Sequence, residues 1–166
     1  MKTIIRDARI DAIPHIQKIA HETWPHAYGD ILSQEQLGYM LEELYAEEIL
    51  RHLIETGEQH FLVLMEDENP IAFAAFGPLG NQVYKLYKLY ILPAHQKKGF
   101  GHTLVEEVIR RVGKEGGNKL LLNVNRYNNA VNFYQKIGFN IIRVEDTPIG
   151  QFWMNDYIME IEVHPQ

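Results

Sequence analysis

The chain has 166 residues, 46% of them hydrophobic and 11% aromatic, which suits one domain with its own core and excludes intrinsic disorder. Its 22 acidic and 16 basic residues leave a formal charge of −6, a poor basis for nucleic-acid binding, which needs clustered Lys and Arg. It contains no cysteine, so disulfides, thiolate metal sites and a cysteine nucleophile are all ruled out.

Charge arrives at Lys2, Arg6 and Asp7, too early for the apolar stretch of a signal peptide. No run approaches the ~20 apolar residues of a membrane helix. A soluble, cytoplasmic protein is expected, with neither nucleic acid nor membrane as partner. The eight histidines show no tight ligand spacing, so no metal is expected.

Residues 3–8 read as a first strand. A helix follows with Pro14 near its start, where the missing N–H costs nothing, and runs to about Glu22. The segment 24–29, Trp-Pro-His-Ala-Tyr-Gly, is expected to interrupt it as a loop. Ser33, with Gln36 three residues on, forms a capping box for a second helix. Leu37, Met40, Leu41, Leu44 and Tyr45 give that helix one apolar face, and the pattern resumes through Ile49, Leu50, Leu53 and Ile54 to Gly57.

Residues 60–66 and 71–77 are short strand-like runs joined by the turn composition Asp67-Glu68-Asn69-Pro70. A longer strand spans 83–92. A helix from about 101 to 112 shows the stripe Leu104, Val105, Val108, Ile109 and Val112. Residues 119–124 read as a buried central strand. A helix at about 129–137 ends at Gly138, and 139–144 and 152–163 supply the last strands. His164-Pro165-Gln166 reads as a loose tail. Hairpin strands come first and β-α-β crossovers later, so a mixed α/β sheet in a single domain over 1–166 is expected.

The chemistry concentrates after the 83–92 strand, in Pro93-Ala94-His95-Gln96-Lys97-Lys98-Gly99-Phe100-Gly101. Successive backbone amides in such a turn converge on an anion, and the N-terminus of the next helix adds positive potential. Gly99 and Gly101 let the backbone approach a phosphate, and Lys97 and Lys98 supply positive charge in an acidic chain. A dinucleotide fingerprint would need glycine at Leu104, and the Gly113–Lys119 region lacks phosphate-loop spacing. The turn therefore reads as a phosphate or pyrophosphate cradle of another kind.

Gln96-Lys97-Lys98-Gly99-Phe100-Gly101 matches the Q/R-x-x-G-x-G/A signature of the GNAT superfamily of N-acetyltransferases. Asn128-Asn129-Ala130-Val131-Asn132-Phe133-Tyr134-Gln135-Lys136-Ile137-Gly138-Phe139 resembles its later N…A…FY-x-K-x-GF element. The two lie about thirty residues apart on the expected elements, and the pattern of elements resembles the family's across nearly the whole chain.

This resemblance implies a mostly antiparallel central sheet with helices on both faces, and acetyl-CoA as co-substrate. It places the pantetheine arm along the backbone of Leu89, Tyr90 and Ile91, with the Leu89 or Tyr90 amide as oxyanion donor. The pyrophosphate would rest on the amides of Gln96, Lys97, Lys98, Gly99, Phe100 and Gly101. Tyr134 takes the position of the general acid that protonates the leaving thiolate. Asn128 is the candidate for the asparagine that relatives place near this helix start, shifted by one residue from the usual spacing. Trp24 and Tyr28 are candidate acceptor walls.

The strand before the turn offers no acid where many relatives carry a glutamate, so the general base stays open among Glu22, His26, Tyr28 and Asp30. The implied reaction is acetyl transfer from acetyl-CoA to a primary amine of a small molecule (polyamine, amino acid or similar) by direct attack. A protein N-terminus or lysine as acceptor, and a non-catalytic acyl-CoA sensor, are the alternatives. A homodimer is expected from the family's habit, with the Phe152-Trp153-Met154 cluster as a contributor.

Overall fold

The structure, a computed structural model, describes residues 2–166. Strand β1 (Thr3–Asp7) leads to three helices: α1 (Ile13–Tyr28), α2 (Gln34–Tyr45) and α3 (Glu47–Thr56). Strands β2 (His60–Glu66), β3 (Asn69–Gly80) and β4 (Val83–Ile91) follow as a meander. Then come α4 (Phe100–Lys114), β5 (Lys119–Asn125), α5 (Ala130–Ile137) and a terminal hairpin of β6 (Asn140–Ile149) and β7 (Phe152–Glu162). Among the described residues all strands join one sheet in the order β1-β2-β3-β4-β5-β7-β6, and only the β4–β5 pair is parallel.

Alternation along the strands gives the sheet two apolar faces. One buries Leu62, Leu64, Leu86, Leu120 and Leu122 against the α4 stripe Leu104, Val105, Val108 and Val112, and against Tyr134 of α5. The other buries Phe61, Val63, Phe73 and Ala75 against Ile16 and Ile19 of α1, Met40 and Tyr45 of α2, and Leu50 of α3. No helix among the described residues is long and apolar enough to cross a membrane.

Two features of β4 prepare the site. It pairs with β5 only from Val83 opposite Lys119 to Leu86 opposite Leu122, and beyond Leu86 the two strands part. Against β3 its register slips, with Lys88 opposite Ala75 but Leu86 opposite Phe76, so Tyr87 is an extra, bulged residue. The bulge breaks alternation locally. Leu86 and Leu89 face α4, whereas Tyr87, Lys88 and Tyr90 all face α1–α3.

Several sequence expectations need correction. The segment 24–29 is not a loop: α1 runs through Pro25 to Tyr28, and Gly29 N–H donates to the Pro25 carbonyl at 2.9 Å. A proline inside a helix costs ~3 kcal/mol. Burying the Trp24 indole, at ~25 cal/mol per Å² over ~150–250 Å², offsets more than that. The single helix expected over 33–57 is broken at Ala46, whose ψ of 145° is extended. Gln17 Nε2 donates to the Tyr45 carbonyl there at 2.9 Å, and Glu47 and Glu48 then sit in the first turn of α3, where the helix dipole favours them.

The Ser33 cap accepts from Gln36 N–H at 3.1 Å, but the Gln36 side chain reaches the Trp153 carbonyl instead of completing the box. Strands β3 and β6 are longer than expected. The terminal residues are tied down, with Gln166 N–H donating to the Gly113 carbonyl at 2.9 Å.

Candidate active site

Where β4 leaves β5, the β5-facing backbone edge of residues 87–91 loses its strand partner. The gap is a cleft of about 730 Å³. Such an edge has amides and carbonyls to satisfy, so an extended amide-bearing chain can complete it. Leu89, Tyr90, Ile91, Gln96, Lys97, Gly99, Phe100, Gly101, Asn128 and Tyr134 all line this cleft, and Lys98 does not.

At the cleft's end, Pro93–His95 form one 3₁₀ turn, and the backbone is left-handed at Lys97 (φ 63°) and Gly99 (φ 85°). Gly99 is the N-cap of α4 and offers no side chain to the first-turn amides, which stay available to an anion. Open space surrounds the position a Gly99 Cβ would take. Gly101 is different: a Cβ there would meet Phe133 Cζ at 3.1 Å and Ile91 Cδ1 at 3.3 Å, so this glycine lets α4 pack closely. The Gln96 side chain turns back and donates to the Ile91 carbonyl at 3.0 Å, fixing the strand-to-turn junction.

Tyr134 stands at the opposite wall, its ring held edge-on between Phe133 and Phe139. Burial, with a further contribution from Tyr28, pushes its phenol well above the ordinary tyrosine value, so the hydroxyl stays protonated at any working pH. Asn128 Oδ1 accepts from Ala130 N–H at 2.9 Å, organising the start of α5.

On the α1–α3 side lies a second cavity of about 250 Å³, which shares Tyr28, Tyr87, Lys88 and Tyr90 with the cleft. Trp24 is almost wholly buried, a core residue whose ring edge also reaches this cavity, while Tyr28 touches both spaces. Glu22 lines neither, and His26 and Asp30 border only the cleft.

Two charged residues here lay outside the sequence expectations. Asp156 on β7, buried, opposes Asn125 and faces the cavity, with Asn123 Nδ2 donating to it at 3.4 Å. Desolvation raises its carboxyl above the ordinary value, against the pull of Asn123, Lys85 and Arg126. Lys88, also buried, donates to Gln59 Oε1 at 2.6 Å, and burial lowers its ammonium to about 8. No sequence signal singled out either one, since β4 also carries Lys85 and β7 also carries Asn155, Glu160 and Glu162.

The Acetyltransferase (GNAT) family model matches residues 13–139. A spermidine N(1)-acetyltransferase of Thermoplasma acidophilum is 30% identical over 159 residues, covering 93% of this chain and 96% of that protein. The crystal structure of a PaiA N-acetyltransferase from T. acidophilum, in complex with coenzyme A, superposes with a TM-score of 0.85 at 29% identity, over 98% of this chain and 99% of that one. A [ribosomal protein bS18]-alanine N-acetyltransferase of Haemophilus influenzae is 32% identical over 113 residues, 62% of this chain and 77% of that protein. The chain belongs to the GNAT acetyltransferase family. It is an acetyl-CoA-dependent N-acetyltransferase, and its sheet with a parted β4 and β5 is the fold of that family.

Proposed function

We propose that the enzyme acetylates the primary amine of a small molecule, bound in the 250 Å³ cavity and attacking across the shared wall into the cleft. The observation that carries this reading is the pairing of the two spaces. An open cleft with unpaired strand backbone abuts a small cavity containing one buried carboxylate, Asp156. The cavity lies just below the ~300–1,000 Å³ usual for small-molecule sites, a size that suits a small amine.

The β4 edge at Leu89, Tyr90 and Ile91 holds the pantetheine amides, and the amides of residues 97–101 take the pyrophosphate. An amide of Leu89 or Tyr90 donates to the thioester oxygen as negative charge grows on it. Asp156 receives the ammonium of the acceptor, and its raised affinity for protons suits it to accept one as the amine becomes nucleophilic. Tyr134 gives its proton to the departing thiolate sulfur. Trp24 and Tyr28 wall the acceptor, and Asn128 fixes the α5 start that aims Tyr134.

A mass-spectrometric assay of purified enzyme with acetyl-CoA and an amine panel, alongside free-thiol release, tests this. An N-acetylated small amine with stoichiometric thiol is expected. Acetylation confined to protein N-termini or lysines would overturn it.

The proposal extends to a homodimer. β6 is an edge strand exposed along most of its length, carrying Ile141, Ile142 and Val144, with Trp153 across the hairpin. Such an edge is normally paired or covered, and a second copy supplies a matching strand.

A further inference from the structure

Taking the small-amine reading as its basis, this inference concerns what else the acceptor carries. The inner corner of the acceptor cavity holds a buried ammonium with spare protons. Lys88 is 8% exposed and its ammonium, with three protons to donate, has one hydrogen-bond partner among the described residues, Gln59. Its Nζ lies 5.8 Å from the Tyr45 ring centroid, and the Tyr45 and Trp24 rings are also 5.8 Å apart. Tyr45 Oη and Trp24 Nε1 are closed off from the cavity, so the two residues offer it their aromatic surfaces and Lys88 its charge.

A buried cation with idle donors is costly in the free protein. One ligand group relieves it: an anion with several acceptor oxygens. Lys85 also lines the cavity, its Nζ 5.0 Å over the Tyr87 ring. Neither lysine has an ion-pair partner among the described residues. The cavity thus presents two cations against the single carboxylate of Asp156. A polyamine, cationic at every nitrogen, would meet net repulsion there.

We propose that the acceptor is a small amino-carboxylate with an apolar body: its carboxylate takes the spare donors of Lys88, with Lys85 adding positive potential, and its amine lies toward Asp156. Met40, Leu44 and Met154 supply the apolar wall between the two poles. The transfer itself balances as in any aminolysis. Asp156 passes one proton of the entering ammonium to solvent, the N–C bond forms, the C–S bond breaks, and the second nitrogen proton leaves as Tyr134 protonates the thiolate.

The test measures kcat/KM for matched pairs, L-phenylalanine with 2-phenylethylamine and L-leucine with 3-methylbutylamine, and for spermidine, with acetyl-CoA binding followed by calorimetry. The carboxylate member of at least one pair is expected to be preferred about tenfold or more, ahead of spermidine. In Lys88→Met that ratio should collapse toward one. Should Lys88→Met not fold, Lys85→Met, which removes the other cation of the cavity, should lower the ratio severalfold. Preference for the plain amines or for spermidine, or a ratio unchanged in a folded Lys88→Met, overturns the inference while leaving acetyl transfer to small amines intact. Binding of acetyl-CoA with no acetylation of any of the five also overturns it, and loss of acetyl-CoA binding would remove the functional reading beneath it.

Discussion

Tyr28 Oη and Tyr90 Oη lie 3.0 Å apart, joining the last turn of α1 to β4 at the wall between the cleft and the 250 Å³ cavity. Burial raises both phenols above their ordinary value, so the pair is a neutral hydrogen bond at physiological pH. The bond exists because α1 continues through Pro25; a loop there would leave Tyr28 unplaced.

A double-mutant cycle reads that bond directly. Tyr28→Phe and Tyr90→Phe should each lower stability by about 0.5–1.5 kcal/mol, a Tm loss of roughly 1–6 °C for a chain of this size. The double variant should lose less than the sum, because the first substitution already breaks the bond. Strictly additive losses in thermal melts would mean that the hydroxyls do not interact.

Tyr134→Phe keeps the ring between Phe133 and Phe139 and removes only the hydroxyl, the proposed acid. We expect kcat to fall about 100- to 10,000-fold, with coenzyme A affinity within a few-fold of wild type. The raised phenol also makes a pH prediction. A group with a raised folded value stays protonated as pH climbs, so kcat should show no decline between pH 8 and 10 from loss of the acid. Steady-state profiles in that window, together with calorimetry on the variant, separate this role from a packing role.

Gly99→Val forces a β-branched residue to φ 85°, at a cost of about 1–3 kcal/mol, with no steric clash to confuse the result. The turn should relax away from the left-handed conformation and lose its converging amides. Coenzyme A affinity is expected to fall tenfold or more, while dephospho-pantetheine fragments lacking the pyrophosphate lose little. Equal losses for both ligands would show that the turn does not hold the pyrophosphate.

The glycine turn, the Phe133-Tyr134 helix and the succession of elements along the chain were legible in the sequence because each rests on local chemistry: a left-handed glycine at 99, an amphipathic stripe, turn residues at fixed offsets. Asp156 and Lys88 were not. Asp156 becomes a cavity residue only through β7 pairing with β5, a contact between Asn125 and a residue 31 positions later. Lys88 faces α1–α3 only because Tyr87 bulges, and a one-residue bulge leaves no mark in composition. Pro25 misled in the opposite sense, since its local rule was overruled by the burial of Trp24.

The exposed β6 edge makes a prediction about assembly. Sedimentation at micromolar concentration should show a dimer, and Val144→Lys with Ile142→Lys on the edge strand should shift it to monomer, as charged edges do elsewhere. A wild-type monomer across that range would remove the homodimer.

Lys88 should make stability depend on pH in a defined direction. Its folded value of about 8 lies below the ordinary lysine value of 10.5, so between those limits the unfolded chain binds more protons than the folded one. Stability from this group is therefore fully present above 10.5 and is lost as pH falls toward 8, by up to about 3 kcal/mol. Lys85, lowered by burial and partly opposed by Asp156, adds in the same sense. The buried tyrosines act oppositely, because their phenols ionise first in the unfolded chain, but only from about pH 10 upward. The clean window is thus pH 8 to 10. Urea unfolding there should show wild type gaining stability with pH, while Lys88→Met, free of that buried charge, is more stable at pH 8 and keeps only the slope that Lys85 supplies. Parallel curves for the two proteins would mean that Lys88 is solvated in the folded state, and its ammonium would lose the desolvation that makes it a seat for an anion.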